Sequence, residues 1–219
     1  MLKKALAGVL GATLLSGTAF AATTITATPL QVDAAGAVVV DFNGALPAGY
    51  TLSGSYSYAT GTTPNLQAAP AGDATQYLVV PQDGSVSGFA DLLGTTGYDT
   101  VSFYWGSIDT YNSVQFLDAA GNVFGDVYAG SYPGIADPTA DGGQAGPGTN
   151  RRITFTQGAG DPLIYGLRFT NNGQRAFELD NVAFGAVPEP ATWAMLIAGF
   201  GLVGGAMRRR RSSTTMVTA

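Results

Sequence analysis

Arg152-Ile153-Thr154-Phe155-Thr156 and, after a Gly/Asp/Pro turn, Leu163-Ile164-Tyr165-Gly166-Leu167-Arg168-Phe169-Thr170 decide the fold class. In the first run Ile153 and Phe155 alternate with Thr154 and Thr156. In the second, Leu163, Tyr165, Leu167 and Phe169 alternate with Ile164, Gly166, Arg168 and Thr170. Successive side chains of an extended chain point to opposite faces, so a period of two predicts strands with one face in a core and the other near water. Working outward, β-branched or aromatic runs between Gly, Pro, Asn and Asp clusters predict further strands at 24–32, 37–42, 51–58, 76–80, 100–104, 113–117, 123–128 and 177–184. No stretch among them carries a 3.6-residue apolar repeat. Many short strands without a repeating unit predict an all-β fold, an antiparallel β-sandwich of jelly-roll type. Asp118-Ala119-Ala120-Gly121-Asn122 reads as a hairpin turn, because glycine and asparagine accept positive φ.

Composition removes several chemistries. The chain has no cysteine and no histidine, which excludes disulfides, a Ser/His/Asp triad, a Cys/His pair and histidine-ligated zinc or iron. Its formal charge is -5, and between the two ends the only cations are Arg151, Arg152, Arg168 and Arg175. An acidic surface repels phosphate backbones, so no nucleic-acid partner is expected. Calcium and neutral glycans remain compatible with it. The Gly/Pro/Asp-rich stretch 130–149 reads as a disordered loop, with Asp137 and Asp141 as alternative cation ligands.

Both ends read as addresses. Lys3 and Lys4 precede an apolar run from Ala5 to Leu15, and Ala19-Phe20-Ala21 supplies small residues for cleavage, so residues 1–21 are expected to be a signal peptide cut by signal peptidase. At the other end Val187-Pro188-Glu189-Pro190 leads into an apolar stretch, Ala191 to Met207, and then Arg208, Arg209, Arg210 and Arg211. The apolar stretch is about 17 residues long, at the lower limit for a hydrocarbon core of about 30 Å. The arginines would hold its C-terminal end in the cytoplasm, which predicts a single transmembrane helix in the inner membrane followed by a cytoplasmic tail at 212–219. What lies between, residues 22–186, is one domain of ordinary size.

Residues 187–211 resemble the PEP-CTERM sorting signal of Gram-negative bacteria. The resemblance implies recognition by an exosortase, a membrane-embedded cysteine transpeptidase-like enzyme, with Pro188, Glu189 and Pro190 as the recognition element. It implies cleavage near that motif and delivery to the cell surface or exopolysaccharide matrix. Two prolines around one residue hold the backbone extended, which suits a segment fed into a protease cleft.

The densest cluster of aromatic and polar groups runs from Ser102 to Asn112 and is similar to a Phe-x-Trp-Gly-Ser-x-Asp-x-Tyr-Asn core found in one group of exosortase-dependent surface proteins. Trp105, Asp109, Tyr111 and Asn112 are candidate glycan-binding residues, an aromatic platform beside hydrogen-bonding groups. Alternatively, Phe103 and Trp105 fill the core while Asp109 and Asn112 cap a turn. Asp180-Asn181 on the last strand, with Asp41 near the start, is similar to the calcium site of carbohydrate-binding jelly rolls, which implies a structural calcium at Asp41 and Asp180. Glu178 is the only glutamate outside the sorting signal and neighbours Asp180 on the same face of a strand, but nothing in the sequence singles out the pair of acids that glycoside hydrolysis requires. The expected function is a non-enzymatic, exported, exosortase-processed surface or matrix protein, structural or adhesive in the biofilm polysaccharide. The alternatives are a calcium-dependent carbohydrate-binding module and a weak glycoside hydrolase.

Overall fold

A computed structural model describes residues 23–82, 85–129, 135, 142–185, 197–204 and 207. The signal-peptide segment, Pro188, Glu189, Pro190, Arg208 to Arg211, the tail, Asp137 and Asp141 lie outside the described residues. The described residues form twelve strands: β1 (Thr24–Pro29), β2 (Val38–Val40), β3 (Tyr50–Gly54), β4 (Ser57–Ala59), β5 (Tyr77–Val80), β6 (Phe89–Tyr98), β7 (Thr100–Gly106), β8 (Ser113–Leu117), β9 (Val123–Tyr128), β10 (Arg151–Thr156), β11 (Ile164–Thr170) and β12 (Phe177–Phe184). Two antiparallel sheets result. One has the order β1-β10-β7-β12-β5-β4, with β2 also on β12; the other has the order β3-β6-β11-β8-β9.

The inward sides of the sheets share one core. Phe103 of β7 meets Phe169 of β11 edge-on at 5.4 Å, and Phe155 of β10 meets Phe116 of β8 at 5.3 Å. Trp105 lies flat on Phe177 at 4.3 Å with an interplanar angle of 8°. These contacts cross between and along the sheets, so the alternating aromatics of β7 and β10 bind the two layers into a sandwich.

Three expectations are corrected. The predicted strand 51–58 is two strands in different sheets, because the chain bends at Gly54, whose φ of 102° no side-chain-bearing residue adopts cheaply. β6 has no counterpart among the predicted strands. Its Gly94 and Gly97 each lie in the strand under an aromatic ring, Tyr50 and Tyr165 respectively, where a Cβ would press on the ring. In β11 a bulge between Ile164 and Gly166 shifts the alternation, so Ile164 is buried and Leu163 is 45% exposed, the reverse of the strict pattern.

The Asp118 turn forms as expected. Asp118 Oδ1 accepts the amides of Ala120 and Asn122, both at 2.8 Å, and these bonds hold its carboxyl below the usual range. The described part of the 130–149 stretch is not disordered. Asn150 is fully buried and donates to the carbonyls of Gly143 and Gly146, both at 3.0 Å, while Ile135 sits in the core.

Residues 197–204 are helical, with Ile197, Phe200, Leu202 and Val203 exposed. Among the described residues no helix is long and apolar enough to cross a membrane. Residues 191–196, 205 and 206 of the predicted span, 191–207, lie outside them.

Candidate functional site

The outer side of the larger sheet is covered where β10, β7 and β12 run side by side. Phe103 and Trp105 point inward, so Tyr104 and Gly106 point out, and Tyr104 stands in register between Arg152 and Asp180. The connection 60–76 between β4 and β5 lies over this row. Pro70 packs on Gly106, where an added Cβ would come within 2.7 Å of the Pro70 Cα, so only glycine lets the connection settle. Ala71 is pinned twice more, its amide donating to Asn150 Oδ1 at 2.9 Å and its carbonyl accepting the Tyr104 hydroxyl at 2.5 Å. Burial pushes that phenol up to about 12.

At one end of the covering connection is a cavity of about 240 Å³, lined by Asn65, Gln67, Asp109, Tyr111, Arg175 and Glu178 among others. The Tyr111 hydroxyl donates to the Arg175 carbonyl, Asn172 donates to the Tyr111 carbonyl at 2.7 Å, and Arg175 Nη1 donates to the Asn65 carbonyl at 3.4 Å. Separate connections are thereby tied around one opening. At its floor Glu178 is 3% exposed; Oε1 accepts the Ala68 amide at 2.9 Å and Oε2 the Ser107 hydroxyl at 2.8 Å. Burial pushes its carboxyl up to about 7, against the pull of those two bonds and with the help of the nearby Asp109 charge.

Further along the connection a larger, open cavity of about 860 Å³ is lined by Asp33, Asp41, Asn43, Asp73, Thr75 and Asn181 among others. Asp180 lies beneath it with no exposed surface. Its Oδ2 accepts from Thr75 Oγ1 at 3.1 Å and Asn181 Nδ2 at 3.2 Å. Burial, and then the carboxyl of Asp73 within hydrogen-bonding reach, push Asp180 up to about 8. Arg152, 4% exposed, donates to the carbonyls of Gln31, Val32 and Asn181 and to Ser102 Oγ; burial lowers it to about 10 despite the attraction of Asp180.

The predicted site residues therefore separate. Trp105 is fully buried against Phe177 and offers no ring to a sugar, so its place is the core. Asn112 is also fully buried, its amide donating to the Ala176 carbonyl at 3.4 Å, and shapes the loop from below. Asp109 and Tyr111 do line the smaller cavity, where they join Glu178, which the motif did not include. For calcium, Asp41 is exposed and its Oδ1 accepts the Asn43 amide at 3.2 Å in a local turn; the carboxyl that meets Asp180 is Asp73. In sequence Asp73 shows only a short turn with Thr75, whose amide it accepts at 2.9 Å, so no spacing rule links it to residue 180.

Residues 186–211 match the family model of the PEP-CTERM protein-sorting motif. The chain carries a PEP-CTERM sorting motif. The motif implies exosortase-dependent export and sorting to the cell surface. It spans the C-terminal end alone, leaving the β domain to be read from its own geometry. No curated protein matches the chain. Among solved structures, the chain is similar to a point mutant of CBM29-2, a family 29 carbohydrate-binding module. The identity is 14% over 77% of this chain and 99% of that one, with a TM-score of 0.37. It is also similar to the enzymatically active domain of tailspike protein 4 of bacteriophage CBA120, at 16% identity over 64% of this chain and 20% of that one, with a TM-score of 0.32.

Proposed function

We propose that this protein is the precursor of a non-enzymatic surface or matrix component, cut near Pro188-Glu189-Pro190 and delivered into the extracellular polysaccharide layer as a structural or adhesive domain. The sorting motif carries this reading. On it, signal peptidase removes residues 1–21, the apolar C-terminal helix anchors the chain in the inner membrane until exosortase acts, and the sandwich, jelly-roll-like in its repeated crossing between sheets, remains outside. The exposed apolar side chains of 197–204 support a helix built for lipid. The test is mass spectrometry of surface protein from the native host, alongside a variant lacking residues 188–219. The expected result is a mature form without the C-terminal helix and loss of surface delivery in the truncated variant. An intact C-terminus in the presence of exosortase, or undiminished delivery of the truncation, would overturn it.

A second reading, binding of extracellular polysaccharide by the domain, is favoured by the smaller cavity. Its volume of about 240 Å³ lies below the ~300 Å³ at which drug-sized ligand pockets begin, so it suits one sugar ring rather than a chain. Side-chain amides, a carboxylate and a guanidinium line it, a mix of donors and acceptors that hydroxyl groups can answer in both senses. A catalytic role is disfavoured because both oxygens of Glu178 already accept protein hydrogen bonds. Glycan-array binding that disappears in Asp109→Ala, at unchanged melting temperature, is the expected outcome. A blank array for the unaltered chain leaves the domain structural, and polysaccharide turnover abolished by Glu178→Gln would make it a hydrolase.

A further inference from the structure

The larger cavity contains an imbalance that the smaller one lacks. Thr75 Oγ1 lies 2.6 Å from Asp73 Oδ1 and 3.1 Å from Asp180 Oδ2, so one hydroxyl serves an oxygen of each carboxyl. The other two oxygens, Asp73 Oδ2 and Asp180 Oδ1, are buried with no hydrogen-bond partner among the described residues. With both groups ionised neither has a proton to donate, so these two oxygens can be joined only by a proton retained on Asp180, whose carboxyl burial and then Asp73 push up to about 8, or by a cation that displaces it. A buried anionic oxygen left unpaired is costly, and two of them side by side more so. The neighbouring guanidinium does not resolve this. Arg152 attracts Asp180 through space, but its donors are directed at Gln31, Val32, Asn181 and Ser102. Asp33 and Asp41 on the cavity wall add further negative charge.

We propose that Asp73 and Asp180 are two ligands of a calcium ion that fastens the β4–β5 connection to β12. The donor chemistry selects the ion. Oxygen is the only ligand atom at hand in a chain with neither histidine nor cysteine, which suits a hard cation and not zinc. Among hard cations calcium tolerates irregular shells of six to eight oxygens, whereas magnesium demands near-ideal octahedral geometry. Among the described residues no group of three or more acidic side chains converges closely enough to hold a metal, so water from the open cavity must complete the shell. Affinity is therefore expected in the range of extracellular calcium modules, a Kd of about 0.1 to 1 mM. β12 is also interrupted here. Its pairing with β7 shifts register between Asp180 and Ala183, and Asn181 has a φ of 53°, an irregularity that frees Asp180 from a uniform ladder beside the cavity. The inference is independent of sugar binding in the smaller cavity.

The test uses the full chain purified in detergent, with terbium luminescence and thermal unfolding as readouts in chelator, magnesium and millimolar calcium. The expected result is a melting temperature raised by several degrees in calcium but not in magnesium, and terbium emission displaced by calcium. Asp180→Asn should abolish both responses and Asp73→Asn should weaken binding at least tenfold, while Asp41→Asn leaves them intact. Should Asp180→Asn fail to fold, the variant at the less buried Asp73 decides alone. Absence of any calcium response, equal responses to magnesium, or an unchanged response in Asp73→Asn would overturn the proposal. None of these outcomes bears on exosortase sorting.

Discussion

Glu178 and Asp180 stand two residues apart on the same strand and the same face, both under the β4–β5 connection, yet their surroundings are opposite. Each oxygen of Glu178 accepts one hydrogen bond from a buried donor, the Ala68 amide or the Ser107 hydroxyl. Asp180 has two donors on one oxygen and none on the other, and faces a second carboxyl instead. A buried acid with both oxygens satisfied is part of the scaffold, while one left half-satisfied beside another acid is a place for a cation. The two cavities at either end of one connection thus have different work, and the difference lies in hydrogen-bond accounting rather than in charge or burial.

The largest expected effect separates the two acids directly. In chelator, Glu178→Ala strands the Ala68 amide and the Ser107 hydroxyl in the interior, each unpaired group costing about 1 to 3 kcal/mol, so a loss of about 3 kcal/mol or more is expected. Asp180→Asn under the same conditions replaces a carboxyl that keeps its proton up to about pH 8 by an amide that can likewise donate toward Asp73, and stability should stay within about 1 kcal/mol of the parent. Denaturant unfolding of both variants measures this. An Asp180→Asn loss in chelator as large as that of Glu178→Ala would erase the contrast. Adding calcium should reverse the standing of Asp180→Asn while leaving the Glu178 penalty unchanged.

Some of this contrast was legible in the sequence and some was not. The period-two alternation of Ile153 and Phe155 located a strand whose partners are all close in kind, and the glycine and asparagine of the Asp118 turn announced their own backbone geometry. Trp105 could be read either as a sugar platform or as core, because alternation alone does not say which face of a strand is covered. The covering element is the 60–76 connection, which has no period and settles only because Gly106 and Pro70 fit each other at long range. The same connection brings Asp73 to Asp180 and Ala68 to Glu178, so neither the calcium pair nor the satisfied acid had a local signature. β6 was hidden for a related reason: Gly94 and Gly97 make room for rings contributed by other strands, and a glycine that serves a distant neighbour looks, in sequence, like a turn.

A smaller effect sharpens the reading of Glu178 as a satisfied but buried acid. Its pKa is about 7 in the folded protein, against 4.5 for the ordinary side chain, with burial as the leading cause. The folded state therefore retains a proton that the unfolded chain has released wherever pH lies between those values. Stability contributed by this group is fully present below about 4.5 and falls as pH rises toward 7, by about 1.4 kcal/mol per pH unit where only the folded form is protonated. Above 7 both forms are ionised and the contribution stays flat. Glu178→Gln cannot titrate, so the stability difference between the unaltered chain and this variant, followed by denaturant unfolding from pH 4 to 8 in chelator, isolates the term. The stability of the unaltered chain relative to the variant should fall steadily between pH 5 and 7 and level off beyond. A difference that is constant across that window would mean that the two hydrogen bonds outweigh burial and keep Glu178 ionised, and the floor of the smaller cavity would then carry a fixed negative charge at every pH the surface meets.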